Sequence, residues 1–409
     1  SGGLDWKQNY MKQVIRRVDD NDSESGPVLL NKYGDLYSVY NCARNLHGKA
    51  ENGSLPHFIV AGVHKGGSTA LFGYLSRHGH VRPSVCKETN FFTEEKLYAK
   101  GIQYYRRHFP DLSTAKELHH MITGEGTPNY IRNPIAPLRI RKMLPNIKII
   151  ISLRNPVQRF VSHYVGQVEN KGLKVACNEY FEEDFQALDS CVSAYSYPER
   201  NKEKFLKMEE KRAELYSKLD KCNSSLAVLD EAPRHQRQIV GASASMYDPR
   251  YRVIKGPARA RAKGCLLNMD NRNPNNDSCI VHECLSLNPE SPLSRGVYVD
   301  QIERWLEHFP PENIMVVQAE HLYANTSKTM QDVAEFLGIR PYNSDELREF
   351  ESTFKGSNHT SNPLELTCNK IRSRLEGFYQ EHNELLYKLL RKNWPDRFVT
   401  VPDKHNLWM

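Results

Sequence analysis

Three segments of the chain combine a run of apolar residues with neighbouring stretches of helical periodicity. HFIVAGV at 57–63 is a continuous apolar run followed by glycines and then by apolar residues at helical spacing. KIIISL at 148–153 precedes an amphipathic stretch that starts near a proline, and IMVVQAE at 314–320 lies between two amphipathic segments. Buried strands that alternate with helices are typical of a parallel sheet covered on both faces. The pattern predicts an α/β fold with a P-loop-like central parallel sheet flanked by helices.

The same pattern divides the chain into parts. Residues 1–54 are polar and predict a lead-in or stem remnant, and 55–409 predict a single domain. Within this domain, 55–170 and 291–409 form the two halves of the core. At 171–290 the periodicity fails, so these residues predict a helical or irregular, cysteine-containing insertion. No internal repeat is visible, which excludes solenoids and propellers.

Composition narrows the class of protein without naming a ligand. The chain is 39% hydrophobic and 26% charged, and its mean hydropathy of −0.64 excludes a membrane protein core. The net charge of +7 suits an anionic cofactor, an anionic polymer or nucleic acid, but it also suits a merely soluble surface. No run of 18 apolar residues occurs, and the chain starts at Ser1, so we expect any anchor or targeting segment to have been removed.

Cysteines and glycosylation sequons indicate the compartment. Six of the nine cysteines lie between 177 and 284, without a paired C-x-x-C or the Cys/His spacing of a zinc site. Disulfides that brace the insertion are therefore expected rather than a metal site. Six N-x-S/T sequons exceed the roughly two or three that chance would give and predict a lumenal glycoprotein. They start at Asn21, Asn52, Asn223, Asn276, Asn325 and Asn358.

The turn after the first apolar run has the features of an anion site. Lys65 supplies a positive charge, and the next four residues lead directly into the predicted helix: Gly66, Gly67, Ser68 and Thr69. Backbone N–H groups at a helix start, glycines that allow close approach and hydroxyl donors together bind phosphate. The alternative is an ordinary glycine-rich turn between a strand and a helix.

The position of Lys65 argues against a nucleotide triphosphatase. A Walker A loop has its lysine immediately before Ser/Thr, whereas two glycines intervene here. KIIISL is followed by Arg154 and not by the aspartate that would hold magnesium. A guanidinium at this strand end and the hydroxyl of Ser162, eight residues on, can both reach one phosphate. The sequence therefore predicts two phosphate sites and a nucleotide handled without a metal.

Four motifs carry a resemblance to a known family: VHKGGSTAL, KETNFF, GEGTPNY and SLRNPVQRFVSHY. Their spacing resembles the Golgi carbohydrate sulfotransferases, above all the heparan sulfate N- and 3-O-sulfotransferases and the N-acetylgalactosamine-4-sulfate 6-O-sulfotransferases. The resemblance covers about 57–165 and, more loosely, 291–390. It implies transfer of a sulfuryl group from 3′-phosphoadenosine-5′-phosphosulfate (PAPS), with adenosine 3′,5′-bisphosphate (PAP) as product and no metal.

The family also implies partners and a location. The acceptor would be a carbohydrate, expected to be a glycosaminoglycan or another anionic polysaccharide, sulfated on a hydroxyl rather than an amine. The chain would work in the Golgi lumen as a type II membrane protein whose anchor is absent here. No nucleic acid partner is expected, since no recognised module accompanies the charge.

The resemblance assigns donor contacts residue by residue. Residues Lys65 to Thr69 would bind the 5′-phosphosulfate, and Arg154 with Ser162 would bind the 3′-phosphate. FKGSNHTSN looks like the family's lysine-glycine loop that closes over the nucleotide, so Lys355 and Gly356 are candidates. Many relatives have a further basic residue where this chain has Ser357.

The resemblance also assigns the chemistry of transfer. Glu125 matches the family's catalytic glutamate and would be the general base of an in-line displacement, the alternative being a solvated loop carboxylate. Lys65 would stabilise charge on the departing phosphate, and Lys87 would reach the sulfate or the acceptor. Glu88 would orient either lysine or contact the acceptor. Relatives commonly have lysine where this chain has Gly126.

A basic segment of the insertion is the candidate binding site for the acceptor. RVIKGPARARAK gathers five cations that would bind carboxylates or sulfates, or would form a solvated face: Arg252, Lys255, Arg259, Arg261 and Lys263. Tyr298 and Trp305 share a helical face and are expected in the core.

Two rival functions stay open: a glycan-binding protein on the same fold without catalysis, and a P-loop kinase with a degenerate loop.

Overall fold

The structure of the protein is a computed structural model that describes ten segments of the chain. These are residues 28–30, 36–38, 53–113, 120–196, 200–211, 213–214, 217–218, 284–285, 287–348 and 363–395. The strands are β1 (Val28–Leu30), β2 (Leu36–Ser38), β3 (Phe58–Gly62), β4 (Val81–Pro83), β5 (Ile122–Glu125), β6 (Lys148–Leu153) and β7 (Ile314–Gln318).

The helices surround these strands. They are α1 (Ser68–Arg77), α2 (Glu95–Tyr98), α3 (Gly101–Arg106), α4 (Ala136–Met143), α5 (Pro156–Lys171), α6 (Cys177–Ser196), α7 (Tyr298–Leu306), α8 (Ala319–Ala324), α9 (Thr326–Leu337), α10 (Pro363–Leu366) and α11 (Arg372–Asn393). Short 3₁₀ turns occur at Ser294–Gly296, Pro311–Asn313 and Asn369–Ile371.

A five-stranded parallel sheet forms the centre of the domain, with the strand order β4-β5-β3-β6-β7. β3 lies in the middle because all five of its residues are apolar or glycine and all are buried. β1 and β2 pair separately as an antiparallel hairpin. The predicted α/β class is confirmed, and the three predicted strands are β3, β6 and β7. β4 and β5 were not predicted.

Alternate residues of the central strands point to two apolar layers, as the period of a strand requires. One layer joins Ile59, Ile149 and Ile151 to residues of α5, α7 and α11, and the other joins Phe58, Val60 and Ile150 to residues of α1 and α9. The sheet is therefore covered on both faces, as the sequence predicted. Tyr298 and Trp305 are 1% and 0% exposed, which confirms their expected place in the core.

The carboxyl ends of parallel strands meet at one edge of the sheet, where open α/β folds bind their ligands. Three neighbouring strands bring candidate site residues to this edge. Gly62 ends β3 and starts the glycine-rich loop, Glu125 ends β5, and Arg154 follows β6 directly. The fold thus gathers residues that are far apart in the sequence.

Two disulfides fasten the start of the predicted insertion, which confirms the expected pairing for three of its cysteines; Cys222, Cys265 and Cys279 lie outside the described residues. Cys177 bonds to Cys368 and Cys191 bonds to Cys284, so both bridges start on α6. The first bridge joins α6 to the segment just before α11, across 191 residues of sequence. In the described part of the chain, no helix is long and apolar enough to cross a membrane.

We predict that the Cys177→Ser/Cys368→Ser double variant unfolds at a markedly lower temperature than the wild type. Removing a native disulfide costs about 2–5 kcal/mol, mostly by freeing the unfolded chain. Scanning calorimetry under oxidising conditions measures the shift. The matched control is Cys191→Ser/Cys284→Ser, which opens a loop of 93 residues and should cost slightly less. Unchanged transition temperatures in both variants would show that neither disulfide stabilises the folded chain.

Candidate active site

The loop between β3 and α1 is shaped for an anion at a helix N-terminus. Gly67 is the N-cap of α1 in the left-handed region, with φ 85°, and Lys65 is also left-handed, with φ 67°. No side chain caps the first turn of α1. Its N–H groups therefore lack the side-chain acceptor that most helices supply, as in phosphate-binding loops.

Close contacts explain why the loop has two glycines. A Cβ atom on Gly66 would lie 2.7 Å from the carbonyl oxygen of Ser152, and one on Gly67 would lie 2.9 Å from the Tyr323 hydroxyl. Any larger residue would push the loop away from β6 or from α8. The two glycines keep the loop backbone free of side chains, as close approach of a phosphate to backbone N–H groups requires. Ser68 is buried and Thr69 is exposed at the helix start.

Arg154 lies against this loop. Its Nη1 donates to the carbonyl oxygen of Lys65 at 3.4 Å, and its own carbonyl oxygen accepts a hydrogen bond from Tyr298 at 2.8 Å. The side chain of Asn155 caps α5 by accepting from Val157 N and Gln158 N. Ser162 is half-buried two turns into α5. The structure therefore brings Arg154 to the loop and places Ser162 on the helix that follows it.

Glu125 differs from the solvated loop carboxylate that was the alternative for it. It is the last residue of β5, it pairs with Ile59 of β3, and its side chain is 0% exposed. Four hydroxyls donate to its carboxylate. Those of Thr89, Tyr105 and Tyr130 reach Oε1 at 2.8, 2.8 and 2.9 Å, and that of Thr127 reaches Oε2 at 2.5 Å.

Burial and hydrogen bonding act in opposite directions on this carboxyl group. Burial is the larger effect and raises the pKa of Glu125 above its ordinary value, while the hydrogen bonds from Thr127, Tyr105, Thr89 and Tyr130 lower it. Burial and the nearby carboxylate also raise the pKa of Tyr105 and Tyr130 well above the ordinary value. Both phenols therefore remain donors to Glu125 across the physiological range.

Lys87 lies beside Gly126, the residue after Glu125, and is itself buried. Its Nζ donates to Glu88 Oε1 at 2.8 Å, and its carbonyl oxygen accepts from Gly126 N, also at 2.8 Å. A Cβ atom on Gly126 would lie 3.3 Å from Lys87 Cε and 3.2 Å from Phe72 Cδ2. A side chain at position 126 would therefore compete with Lys87 for space.

Sequence reasoning missed several parts of this site. Thr89, Thr127 and Tyr130 lie inside the quoted motifs, but nothing in their spacing shows that they meet at one carboxylate. Tyr323 on α8 was also missed. Its hydroxyl lies over Gly67, the side chain is 39% exposed, and Arg154 acts on it electrostatically. The only available signal was its place just after β7, at the same edge of the sheet.

Several predicted residues lie outside the described part of the chain. They are the acceptor candidates Arg252, Lys255, Arg259, Arg261 and Lys263, and the nucleotide-closing candidates Lys355 and Gly356. Among the described residues, no group of three or more His, Cys, Asp or Glu side chains could hold a metal ion.

A parallel α/β sheet with an uncapped glycine loop, an arginine on that loop and a carboxylate at the same edge is typical of folds that bind a phosphate-bearing ligand at the carboxyl ends of their strands. Comparison with known proteins identifies the family. The Sulfotransferase domain matches residues 55–217 and 250–402, well over half of the chain, so the chain belongs to the sulfotransferase family. The resemblance inferred from the four motifs is confirmed.

The relatives agree with the branch that the motifs indicated. Membrane-associated sulfotransferase kil1 of Dictyostelium discoideum is 26% identical over 83% of this chain and 66% of its own length. Heparan sulfate glucosamine 3-O-sulfotransferase 5 of Mus musculus is 38% identical over 29% of this chain and 33% of its own. Bifunctional heparan sulfate N-deacetylase/N-sulfotransferase 3 of Homo sapiens is 23% identical over 83% and 30%. The chain thus spans about two thirds or less of the length of these relatives.

Proposed function

We propose that this chain transfers a sulfuryl group from PAPS to a hydroxyl of a carbohydrate, a glycosaminoglycan or another sulfated polysaccharide. The observation that supports this best is the convergence of the Lys65 loop, Arg154 and Glu125 on one edge of the sheet, from strands β3, β6 and β5. Family membership supports the reaction type, and heparan sulfate relatives support the carbohydrate acceptor.

The donor site has the groups that PAPS needs. Residues 65–69 would bind its 5′-phosphosulfate at the N-terminus of α1, and Arg154 with Ser162 would bind its 3′-phosphate. The donor supplies an activated sulfuryl group on a phosphate leaving group. Lys355 and Gly356 remain predicted to close over the nucleotide. No metal is required in this scheme, because Lys65 and the helix N-terminus supply the positive charge.

The chain's own residues would move the proton. Glu125 accepts the proton that the acceptor hydroxyl loses during attack, and Lys65 stabilises the charge that develops on the leaving oxygen. Lys87, which is held by an ion pair with Glu88, would reach the sulfate or the acceptor. Since Glu125 has no exposed surface, a bound hydroxyl relays the proton: it gives its own proton to the carboxylate as it accepts one from the acceptor. Thr89 is the least completely buried of the four hydroxyl residues, at 2% exposed.

We predict that Thr89→Val lowers kcat by about tenfold or more, because it removes a hydroxyl bonded to the carboxylate while keeping the side-chain volume. Thr89→Ser should restore most of kcat, since it returns the hydroxyl. Steady-state kinetics with PAPS measure both. Equal activity of Thr89→Val and the wild type would remove Thr89 from the relay, and failure of Thr89→Ser to rescue would assign the loss to packing.

The direct test of the function is transfer of labelled sulfate from PAPS to a panel of desulfated and partly sulfated glycosaminoglycans. The sulfated position is then mapped on the product. We expect transfer that persists in the presence of a chelator. Consumption of ATP with magnesium and no use of PAPS would favour a kinase. Glycan binding without nucleotide dependence and without transfer would favour a binding protein.

Tyr323 is a further donor contact that this site suggests. Its hydroxyl lies beside the start of α1 and close enough to Arg154 for a mutual electrostatic effect. We predict that Tyr323→Phe weakens PAP binding by about fivefold to tenfold, the loss of one hydrogen bond to a charged group. Isothermal titration measures the change, with Tyr387→Phe on α11 as the matched control. Equal PAP affinity of Tyr323→Phe and the wild type would exclude a contact through this hydroxyl.

We also propose that the chain works in the Golgi lumen, as a glycoprotein held at the membrane by a separate anchor segment. Two disulfides support an oxidising compartment, and one relative is named as membrane-associated. Asn325 of a sequon is exposed between α8 and α9. Glycan at Asn325 after secretory expression, detected by mass spectrometry of its peptide, tests the assignment; an unmodified peptide would count against it.

A further inference from the structure

The peptide bond between Arg154 and Asn155 is held by side chains from two distant elements. It lies between the end of β6 and the start of α5 and belongs to neither. Its carbonyl oxygen accepts a hydrogen bond from the Tyr298 hydroxyl at 2.8 Å, and its N–H donates to Glu320 Oε1, also at 2.8 Å. We call this arrangement the peptide clamp and define it as Tyr298, Glu320 and the Arg154–Asn155 peptide.

Both side chains of the peptide clamp come from the C-terminal half of the chain. Tyr298 is the first residue of α7, 144 residues after Arg154, and Glu320 is the second residue of α8, 165 residues after Asn155. The Tyr298 side chain is buried and that of Glu320 is half-buried. A planar trans peptide presents its C=O and N–H in opposite directions. Two partners on opposite sides therefore fix the orientation of the whole peptide group.

The charges around the peptide clamp agree with these contacts. Burial raises the pKa of Tyr298 above its ordinary value; Glu320 adds to this increase, and Arg154 opposes it. Burial also raises the pKa of Tyr323, on which Arg154 and Glu320 again act with opposite signs. Tyr298 is therefore protonated at physiological pH and remains the donor to the Arg154 carbonyl oxygen. Glu320 and Arg154 both lie close to these two phenols.

The peptide clamp fixes the backbone from which Arg154 reaches the donor loop. Arg154 Nη1 donates to the Lys65 carbonyl oxygen at 3.4 Å, so the guanidinium lies against the loop in the present backbone orientation. The side chain of Asn155 caps α5, so the same peptide also sets the start of the helix that carries Ser162. Holding both proposed 3′-phosphate contacts in advance lowers the entropic cost of binding the phosphate.

The negative charge of Glu320 would by itself oppose binding of an anion at Arg154. A carboxylate repels a phosphate held nearby, so its electrostatic effect on donor affinity is unfavourable. Its hydrogen bond from Asn155 N has the opposite effect on affinity if it keeps Arg154 in place. Removal of the charge alone should thus tighten phosphate binding, whereas removal of the acceptor oxygen should weaken it. The two roles of Glu320 can be separated by the sign of the change.

We propose that Tyr298 and Glu320 are positioning residues that set the preference of this enzyme for a donor with a 3′-phosphate. They act through the Arg154 backbone rather than by contact with the nucleotide. The inference rests on the proposed function, because it takes Arg154 and Ser162 as the 3′-phosphate site. Loss of a clamp hydrogen bond therefore weakens binding of PAP. It does not weaken binding of adenosine 5′-phosphate, which has no 3′-phosphate.

The first test is titration calorimetry of Tyr298→Phe with PAP and, separately, with adenosine 5′-phosphate. We expect PAP to bind about fivefold more weakly, the effect of one hydrogen bond, and adenosine 5′-phosphate to bind within about twofold of the wild type. Tyr379→Phe is the matched control, because the buried Tyr379 hydroxyl donates to a different backbone oxygen, that of Leu293, at 3.0 Å. This control should change neither affinity.

Two substitutions of Glu320 separate its hydrogen bond from its charge. Both Glu320→Gln and Glu320→Met remove the charge and keep a side chain of similar length, but only glutamine offers an oxygen to Asn155 N. We expect PAP to bind about fivefold more weakly to Glu320→Met than to Glu320→Gln, and adenosine 5′-phosphate to bind both within about twofold. Equal PAP affinities of the two variants would show that Glu320 acts only through its charge, which overturns its positioning role.

A double variant tests whether Tyr298 acts through Arg154. In an Arg154→Ala background, Tyr298→Phe should change PAP affinity by less than about twofold, because the group that it positions is gone. A further loss of about fivefold in that background would place the effect of the hydroxyl elsewhere and overturn the inference. Equal losses of PAP and adenosine 5′-phosphate affinity in Tyr298→Phe alone would also overturn it, since they would indicate a general structural contact.

Failure of the positioning role is distinguishable from failure of the proposed function. Should Tyr298→Phe fail to fold by circular dichroism, the two Glu320 variants carry the same test. A wild type that binds PAP no tighter than adenosine 5′-phosphate would overturn the proposed 3′-phosphate site, and the inference with it. A wild type that prefers PAP, with a preference that every clamp variant retains in full, would overturn the inference alone.

Discussion

The Glu125→Gln variant should lose about 10²- to 10⁴-fold in kcat and keep its affinity for PAP. The amide has the shape of the carboxylate and can still accept hydrogen bonds from Thr89, Tyr105 and Tyr130 through its oxygen. It cannot accept a proton from the acceptor. Single-turnover transfer from labelled PAPS measures the rate, and titration with PAP measures the donor site.

The pH dependence of the wild type gives a second readout of the same group. A general base works only when ionised, and burial raises the pKa of Glu125. Activity should therefore fall as pH decreases through a value above that of an ordinary glutamate. Tyr105→Phe removes a hydrogen bond that lowers this pKa, so the acid limb should move to still higher pH. Full turnover by Glu125→Gln, or an acid limb that Tyr105→Phe leaves in place, would exclude Glu125 as the base.

The sequence predicted the parts of this fold that have a strong local signal. β3, β6 and β7 were visible because each is a continuous apolar run, which a strand buried on both faces requires. β4 and β5 have only three and four residues and include Arg82, Pro83 and Thr123, so they lack that run. Without β5, a solvated loop carboxylate stayed the alternative for Glu125, and the complete burial of its side chain could not be foreseen.

The candidate site was predictable only as far as its residues are neighbours in sequence. Lys65 and its glycines form one uninterrupted motif. Because the N–H groups at a helix N-terminus bind anions, this motif predicts a phosphate site from the sequence alone. The partners of Glu125 come from 36 and 20 residues upstream, in Thr89 and Tyr105. The contact between Tyr323 and Gly67 and the bond between Cys177 and Cys368 depend on how distant segments pack. Such contacts have no local pattern.

The Lys65→Ala variant should lose about 10²- to 10³-fold in kcat and bind PAP more weakly. Lys65 is the only lysine or arginine between residues 62 and 69. Its backbone is in the left-handed region, two residues before the N-cap of α1. Alanine keeps the backbone connection and removes the charge that would stabilise the leaving oxygen. The variant also tests whether Lys65 takes the role of the Walker A lysine, although two glycines separate Lys65 from Ser68.

The measurement separates that charge from the shape of the loop. Lys328→Ala, which removes an exposed lysine paired with Asp332, is the matched control and should behave as the wild type. Gly66→Ala keeps the charge but places a Cβ atom 2.7 Å from the Ser152 carbonyl oxygen, so the loop must shift and PAP binding should fall. A loss of kcat in Lys65→Ala larger than its loss of PAP affinity would show that the lysine acts mainly on the transition state. Equal losses of kcat and of PAP affinity would limit Lys65 to binding the donor.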